Sequence, residues 1–151
     1  MIFKKVNFLF EVFSRKDLKM NTHEFLTSAE LQEELTNIFG EEFYSKTLCH
    51  QVCKKVAELA DDDRVRTKTD IQVYLKIDGD LEPISIKGHC VVQYNNTIYD
   101  YTSDQYVYNG VQPVKGLRIL TQENDVPIPE DMEIGQAQVF SNEDYVIFVN
   151  S

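Results

Sequence analysis

The run Gly88-His89-Cys90-Val91-Val92-Gln93-Tyr94-Asn95-Asn96-Thr97-Ile98-Tyr99-Asp100-Tyr101-Thr102 carries an imidazole before an Asn-Asn pair and a carboxylate after it. Two stretches rich in β-branched and aromatic residues, separated by such a pair, read as a β-hairpin. With Asn95-Asn96 as the turn, Tyr94 pairs with Thr97, Val91 with Asp100 and His89 with Thr102. Side chains alternate along a strand, so His89, Val91, Asp100 and Thr102 project from one face. His89 and Asp100 become diagonal neighbours, with Cβ atoms roughly 7 Å apart. Upstream, Cys49 falls one or two residues into a helical pattern. The free N–H groups and positive dipole of a helix start favour a thiolate and can also hold an oxyanion. A thiol, an imidazole and a carboxylate in this order suggest acyl transfer through a cysteine nucleophile. The plainer alternatives are a surface histidine beside an ordinary hairpin carboxylate, and a Cys49 that is only a small buried hydrophobe like its neighbour Cys53.

The elements that must position these residues divide into a helical first part and a strand-rich second part. Phe3, Val6, Phe10 and Phe13 recur at helical spacing. Thr27 or Ser28 caps a second helix running to about Phe39, with Leu31, Leu35, Ile38 and Phe39 apolar and Gly40 as its stop. A third helix begins near Ser45 to Thr47 and ends around Ala60, with Leu48, Val52, Val56 and Leu59 as its stripe. Ile71, Val73, Leu75 and Ile77 alternate with polar residues as a strand, and Asp78-Gly79-Asp80 is a turn. The hairpin strands run from Ile84 to Tyr94 and from Thr97 to Tyr101. Further strands are expected at Leu117–Leu120, Gln136–Phe140 and Tyr145–Val149, with a Pro-rich loop over Val126 to Asp131. The pattern predicts one α+β domain, with N-terminal helices packed on an antiparallel β-sheet. Met20 is a plausible internal start, so residues 1–19 read as an extension and 20–151 as the domain.

Composition narrows the class. The chain has 151 residues, 42% of them hydrophobic, and a net charge of −10. Such a surface lacks the Lys/Arg excess that nucleic acid requires and is repelled by anionic membranes, while leaving a basic protein partner open. Three cysteines form no secreted disulfide framework and fit a reducing compartment. The apolar N-terminus imitates a signal peptide, but Asn7 and Glu11 interrupt it and no small-residue cleavage site follows. With no stretch of roughly 20 apolar residues to span a bilayer, a cytoplasmic protein, in a bacterial or host cell, is expected.

The segments Cys49-His50-Gln51-Val52-Cys53-Lys54-Lys55-Val56-Ala57, Gly88-His89-Cys90-Val91-Val92 and Ile98-Tyr99-Asp100-Tyr101-Thr102-Ser103-Asp104-Gln105-Tyr106 resemble the papain-like and transglutaminase-like cysteine hydrolases, in flavour their bacterial toxin, effector and phage members. The resemblance implies a papain-like core in which Cys49 is the nucleophile, His89 the general base and then acid, and Asp100 the residue that orients the ring. It further implies a protein substrate or host target, cleaved at a peptide bond, deamidated or transglutaminated, and no cofactor. Two family features are missing. Glu41 to Leu48 contains no Gln or Asn for an oxyanion hole, so a backbone N–H, Tyr44, Ser45 or Thr47 takes that place. No Trp follows Cys49 or His89.

Three competing readings follow from the same residues. Cys49, His50, Cys53, His89 and Cys90 contain metal-ligand types, yet the adjacent His89 and Cys90 point to opposite sides of a strand and no Cys-x-x-Cys knuckle is present, so no metal site is expected. A binding or inhibitory module without chemistry would use the acidic surface and anchors such as Tyr101, Tyr106 and Tyr108. A degenerate papain-like scaffold would keep the fold and lose the activity. His23 and His50 are expected to be exposed, Asp61-Asp62-Asp63 to form a solvated loop, and Lys87 and Arg118 to lie on the solvated surface. No oligomeric state is implied.

Overall fold

Short polar side chains set where the first two helices start. The computed structural model describes residues 14–43, 48–83, 89–102, 117–126 and 138–150. The expected helix over Phe3 to Phe13, the helix start at Ser45 to Thr47, Lys87, Tyr106, Tyr108 and most of the Pro-rich loop lie outside them. Helix α1 (Thr22–Leu26) opens on a capping box: Asn21 accepts from the Glu24 N–H at 2.8 Å, and Glu24 accepts from the Asn21 N–H at 3.1 Å. Helix α2 (Ala29–Phe39) is capped by Ser28, whose Oγ accepts from the Leu31 N–H, and stops at Gly40 with φ of 103°. Helix α3 (Cys49–Ala60) buries Cys49, Val52, Cys53, Val56, Leu59 and Ala60 along one face. It ends at Asp61 in the left-handed region, and Arg15 satisfies its last carbonyls. Arg15 Nε donates to the Ala60 carbonyl at 2.7 Å and its backbone N–H donates to that of Leu59 at 2.8 Å. Arg15 thus ties residues of the expected extension to the helix that carries Cys49.

The strands are β1 (Val65–Lys68), β2 (Ile71–Ile77), β3 (Asp80–Pro83), β4 (Val91–Tyr94), β5 (Thr97–Asp100), β6 (Arg118–Gln122), β7 (Gln138–Ser141) and β8 (Tyr145–Val149). They form one antiparallel sheet in the order β1-β4-β5-β6-β7-β8-β2-β3. Asp78-Gly79 joins β2 to β3 with φ of 50° and 86°, the paired positive values of a primed hairpin turn. Two residues, Thr69 and Asp70, join β1 to β2, although six strand-to-strand steps separate them in the sheet. In a flat sheet that separation would be about 29 Å, while the link spans at most about 11 Å. The sheet therefore curls until its two ends approach, and Asn150 fastens the link by donating its backbone N–H to the Asp70 carbonyl at 3.0 Å.

Curling gives the sheet an inside. Val73, Val91, Ile98, Leu120, Phe140, Tyr145, Ile147 and Val149 fill it. A second core lies outside, where α1, α2 and α3 cover Val65, Cys90, Val92, Tyr99 and Tyr101. A small third cluster, Tyr74, Val146 and Phe148, sits on the outer face of β8 and β2. This corrects the expected α+β architecture of helices packed on a sheet around a papain-like core. The described residues form an eight-stranded curled antiparallel sheet with three short helices, and the chain is richer in β-structure than that arrangement. The physical reason is the inner core: a curled sheet buries one face against itself and needs helices only over part of the other. Among the described residues no helix is long and apolar enough to cross a membrane.

Candidate active site

The hairpin forms in the expected register, with Tyr94 opposite Thr97 and Val92 opposite Tyr99. Asn95 takes φ of 54° at the first turn position, as primed two-residue turns require. Asp100 ends β5 on the same face as Ile98, which points into the curled sheet, and it sits directly opposite Arg118 on β6. His89 lies just before β4, where the backbone is no longer strand. Its ring meets the inward-facing Asp100 carboxylate and feels Cys49 of the outer helix α3.

The structure brings the three sequence-predicted residues together. His89 Nε2 lies 3.0 Å from Asp100 Oδ2, with both side chains buried. Cys49, the first residue of α3, lies close enough to the His89 ring to act on its charge. Three donors converge on the Asp100 carboxylate. They are His89 Nε2, Tyr145 Oη on Oδ2 at 3.0 Å, and the Thr102 N–H on Oδ1 at 3.2 Å. Exposure is 4% for Cys49, 3% for His89 and 1% for Asp100. Leu48 precedes α3 with no side-chain cap, so no N-cap side chain occupies the N–H groups of its first turn. Tyr44, Ser45 and Thr47, the expected substitutes for an oxyanion-hole amide, lie outside the described residues.

The electrostatics of the ring result from opposed effects. Burial, the largest, works against the imidazolium; the Asp100 charge, its hydrogen bond, and Cys49 outweigh it and hold His89 up to about 10. The other two cysteines are part of the same cluster. The hydrogen bond between Cys53 and Cys90 pushes the Cys53 thiol well up, with burial adding to it. The same bond draws Cys90 down, against burial and with help from His89. The three cysteines thus lie close together beside the site, with Cys53 in the core as expected.

Other expectations need correction. Arg118 is buried, not solvated, and its Nη1 meets Asp144 Oδ2 at 3.3 Å. Tyr101 is no exposed anchor: its hydroxyl donates to the Leu26 carbonyl at 2.6 Å in the outer core. Asp62 is not a freely solvated loop residue, because Thr22 Oγ1 and the Arg64 guanidinium both donate to it. His50 is exposed as expected, as is His23, whose Nδ1 lies 2.6 Å from Tyr99 Oη. Tyr145 was not singled out by sequence reasoning, since it opens an apolar strand and reads as core. Among the described residues no group of three or more His, Cys, Asp or Glu side chains is placed to hold a metal ion. No protein-family model, curated protein or solved structure matches this chain.

Proposed function

We propose that the protein is a cysteine-dependent acyl-transfer enzyme acting on a protein substrate. The observation that carries this reading is the placement of Cys49, at the start of α3, beside a buried His89 ring whose Nε2 lies 3.0 Å from the Asp100 carboxylate. With Nε2 committed to Asp100, Nδ1 is the ring nitrogen that exchanges a proton with Cys49. The sulfur attacks an amide carbonyl, either a peptide bond or a glutamine side chain. The first-turn N–H groups of α3 receive the oxyanion, and the imidazolium gives its proton to the leaving amine. Water releases the resulting thioester, or a lysine amine takes the acyl group. The net charge of −10 suits a basic target protein, and three free thiols suit a reducing compartment such as the cytoplasm. With only 4% of Cys49 exposed, a substrate reaches the sulfur by displacing what covers it. That favours one dedicated target over broad digestion.

The same burial favours a second reading, a non-catalytic binding protein whose polar cluster only holds α3 against the sheet. Iodoacetamide labelling at neutral pH, mapped by mass spectrometry, separates the two. The enzyme reading expects Cys49 to react ahead of Cys53 and Cys90, and His89→Gln to slow it at least roughly tenfold. Equal, slow labelling of all three thiols, unchanged by His89→Gln, leaves the binding protein as the description. For a reactive Cys49, intact-mass analysis of candidate targets with the parent and Cys49→Ala proteins distinguishes cleavage from deamidation.

A further inference from the structure

Tyr145 has no part in the proton exchange between Cys49 and His89, yet several contacts fix it beside Asp100. It opens β8 with 1% of its surface exposed and directs its hydroxyl to Asp100 Oδ2 at 3.0 Å. That oxygen is the one that faces His89 Nε2, also at 3.0 Å. The turn before it is built to hold this pose. Asn142 Oδ1 accepts from the backbone N–H groups of Asp144 at 2.8 Å and Tyr145 at 2.9 Å. Lys76 clamps the turn from β2, its Nζ donating to the Asn142 carbonyl at 2.8 Å and its backbone N–H to that of Asp144 at 2.9 Å. From this turn Tyr145 points inward to Asp100, and Asp144 meets Arg118, the residue opposite Asp100 on β6.

We propose that Tyr145 is a positioning residue of the site: its hydroxyl fixes the Asp100 carboxylate and moderates its pull on His89. Two donors on one oxygen share its negative charge, so each bond weakens the other. Removing the phenol O–H returns that charge to His89, whose ring then keeps its proton to higher pH. A hydrogen bond to a charged group is strong enough for a shift of about one pH unit. Packing alone predicts no such shift, because Tyr145→Phe keeps the ring that fills the inner core.

The test is the NMR titration of the His89 ring in the Cys49→Ala protein with and without Tyr145→Phe. The expected result is an upward move of about one unit in the Phe variant. An unmoved or lowered titration overturns the proposal. In the unsubstituted protein, an exchange-protected Tyr145 hydroxyl proton should show a nuclear Overhauser contact to the His89 Nε2 proton. Its absence overturns the proposal even if the Phe variant does not fold. The role rests on the acyl-transfer reading, but the titration involves no reaction. An inert Cys49 with a shifted His89 would retire the enzyme and keep the coupling; a reactive Cys49 with an unmoved His89 would do the reverse.

Discussion

Replacing Asp100 with Asn should abolish the loss of stability with rising pH that His89 imposes. In the folded protein burial opposes the charged ring most strongly, Asp100 overrides it, and the ring holds its proton up to about 10 against 6.5 when free. A group whose pKa rises on folding contributes stability that is complete below its unfolded value and is lost as pH climbs toward its folded value. The slope approaches about 1.4 kcal/mol per pH unit, or about 2 kcal/mol between pH 6.5 and 8. With Asn at position 100 the ring keeps its burial and loses its counter-charge. Its folded pKa then falls below 6.5, so its contribution rises with pH only up to about 6.5 and is level above it. Cys49→Ala is the right parent, because it removes the smaller upward pull of Cys49 and leaves the ring to burial and Asp100. The assay is urea unfolding followed by far-UV circular dichroism at pH 6, 7 and 8, comparing Cys49→Ala with Cys49→Ala/Asp100→Asn. The Cys49→Ala curve should fall by about 2 kcal/mol by pH 8 while the Asn curve does not fall, and the Asn protein should be less stable at pH 6 by on the order of 3–5 kcal/mol. Parallel curves would refute the claim that burial and Asp100 compete for the charge on this ring.

Two further outcomes test the frame around the site. The Arg64 guanidinium and Thr22 hydroxyl hold the Asp62 carboxyl well below the usual carboxylate range. A depressed pKa contributes stability that is present above the unfolded value of 3.8 and lost as pH falls toward the folded one. Asp62→Asn should therefore lose less thermal stability than the parent as the pH is lowered from 5 to 3, and Thr22→Val should cost about 1 kcal/mol in urea unfolding. Phe140, fully buried inside the curled sheet, should cost about 3–5 kcal/mol when cut to Ala. Ile119, on the outer face with 38% exposed, should stay within about 0.5 kcal/mol. Similar losses at both positions would mean that the sheet has no inner core.

Features of the fold that are decided locally can be read from the chain. Ser28 and Gly40 bracket α2 because a hydroxyl cap and a glycine stop act within one turn. Alternation from Ile71 to Ile77 marks β2, and Asp78-Gly79 its turn. Helix α1 is too short for a hydrophobic period to mark it. Strands β1, Val-Arg-Thr-Lys, and β3, Asp-Leu-Glu-Pro, carry no clean alternation because both lie at the sheet's edges, where neither face is fully buried. They are strands because β4 and β2 pair with them. The curl depends on pairings between residues far apart in sequence, such as β2 with β8, and on a link too short to span a flat sheet. No local preference encodes those.

The site divides along the same line. His89 and Asp100 belong to one hairpin whose turn sets their register, and Cys49 is marked by its place at a helix start; each of these is local information. Tyr145 and Arg118 come from strands whose neighbours are settled only when the sheet curls, so an inward-facing tyrosine reads as core and an arginine as surface. The hairpin alone demands a further donor for Asp100. Parity puts Asp100 on the face shared with Val91 and Ile98, an apolar one, and an ionised carboxylate offers about four acceptor sites. Buried acceptors without donors are costly, and the hairpin itself supplies two donors, the His89 ring and the Thr102 N–H. The unmet demand requires a donor from across the core. In an apolar interior with no Trp in the chain, a strand tyrosine is the side chain best suited to bring one without exposing the carboxylate to water.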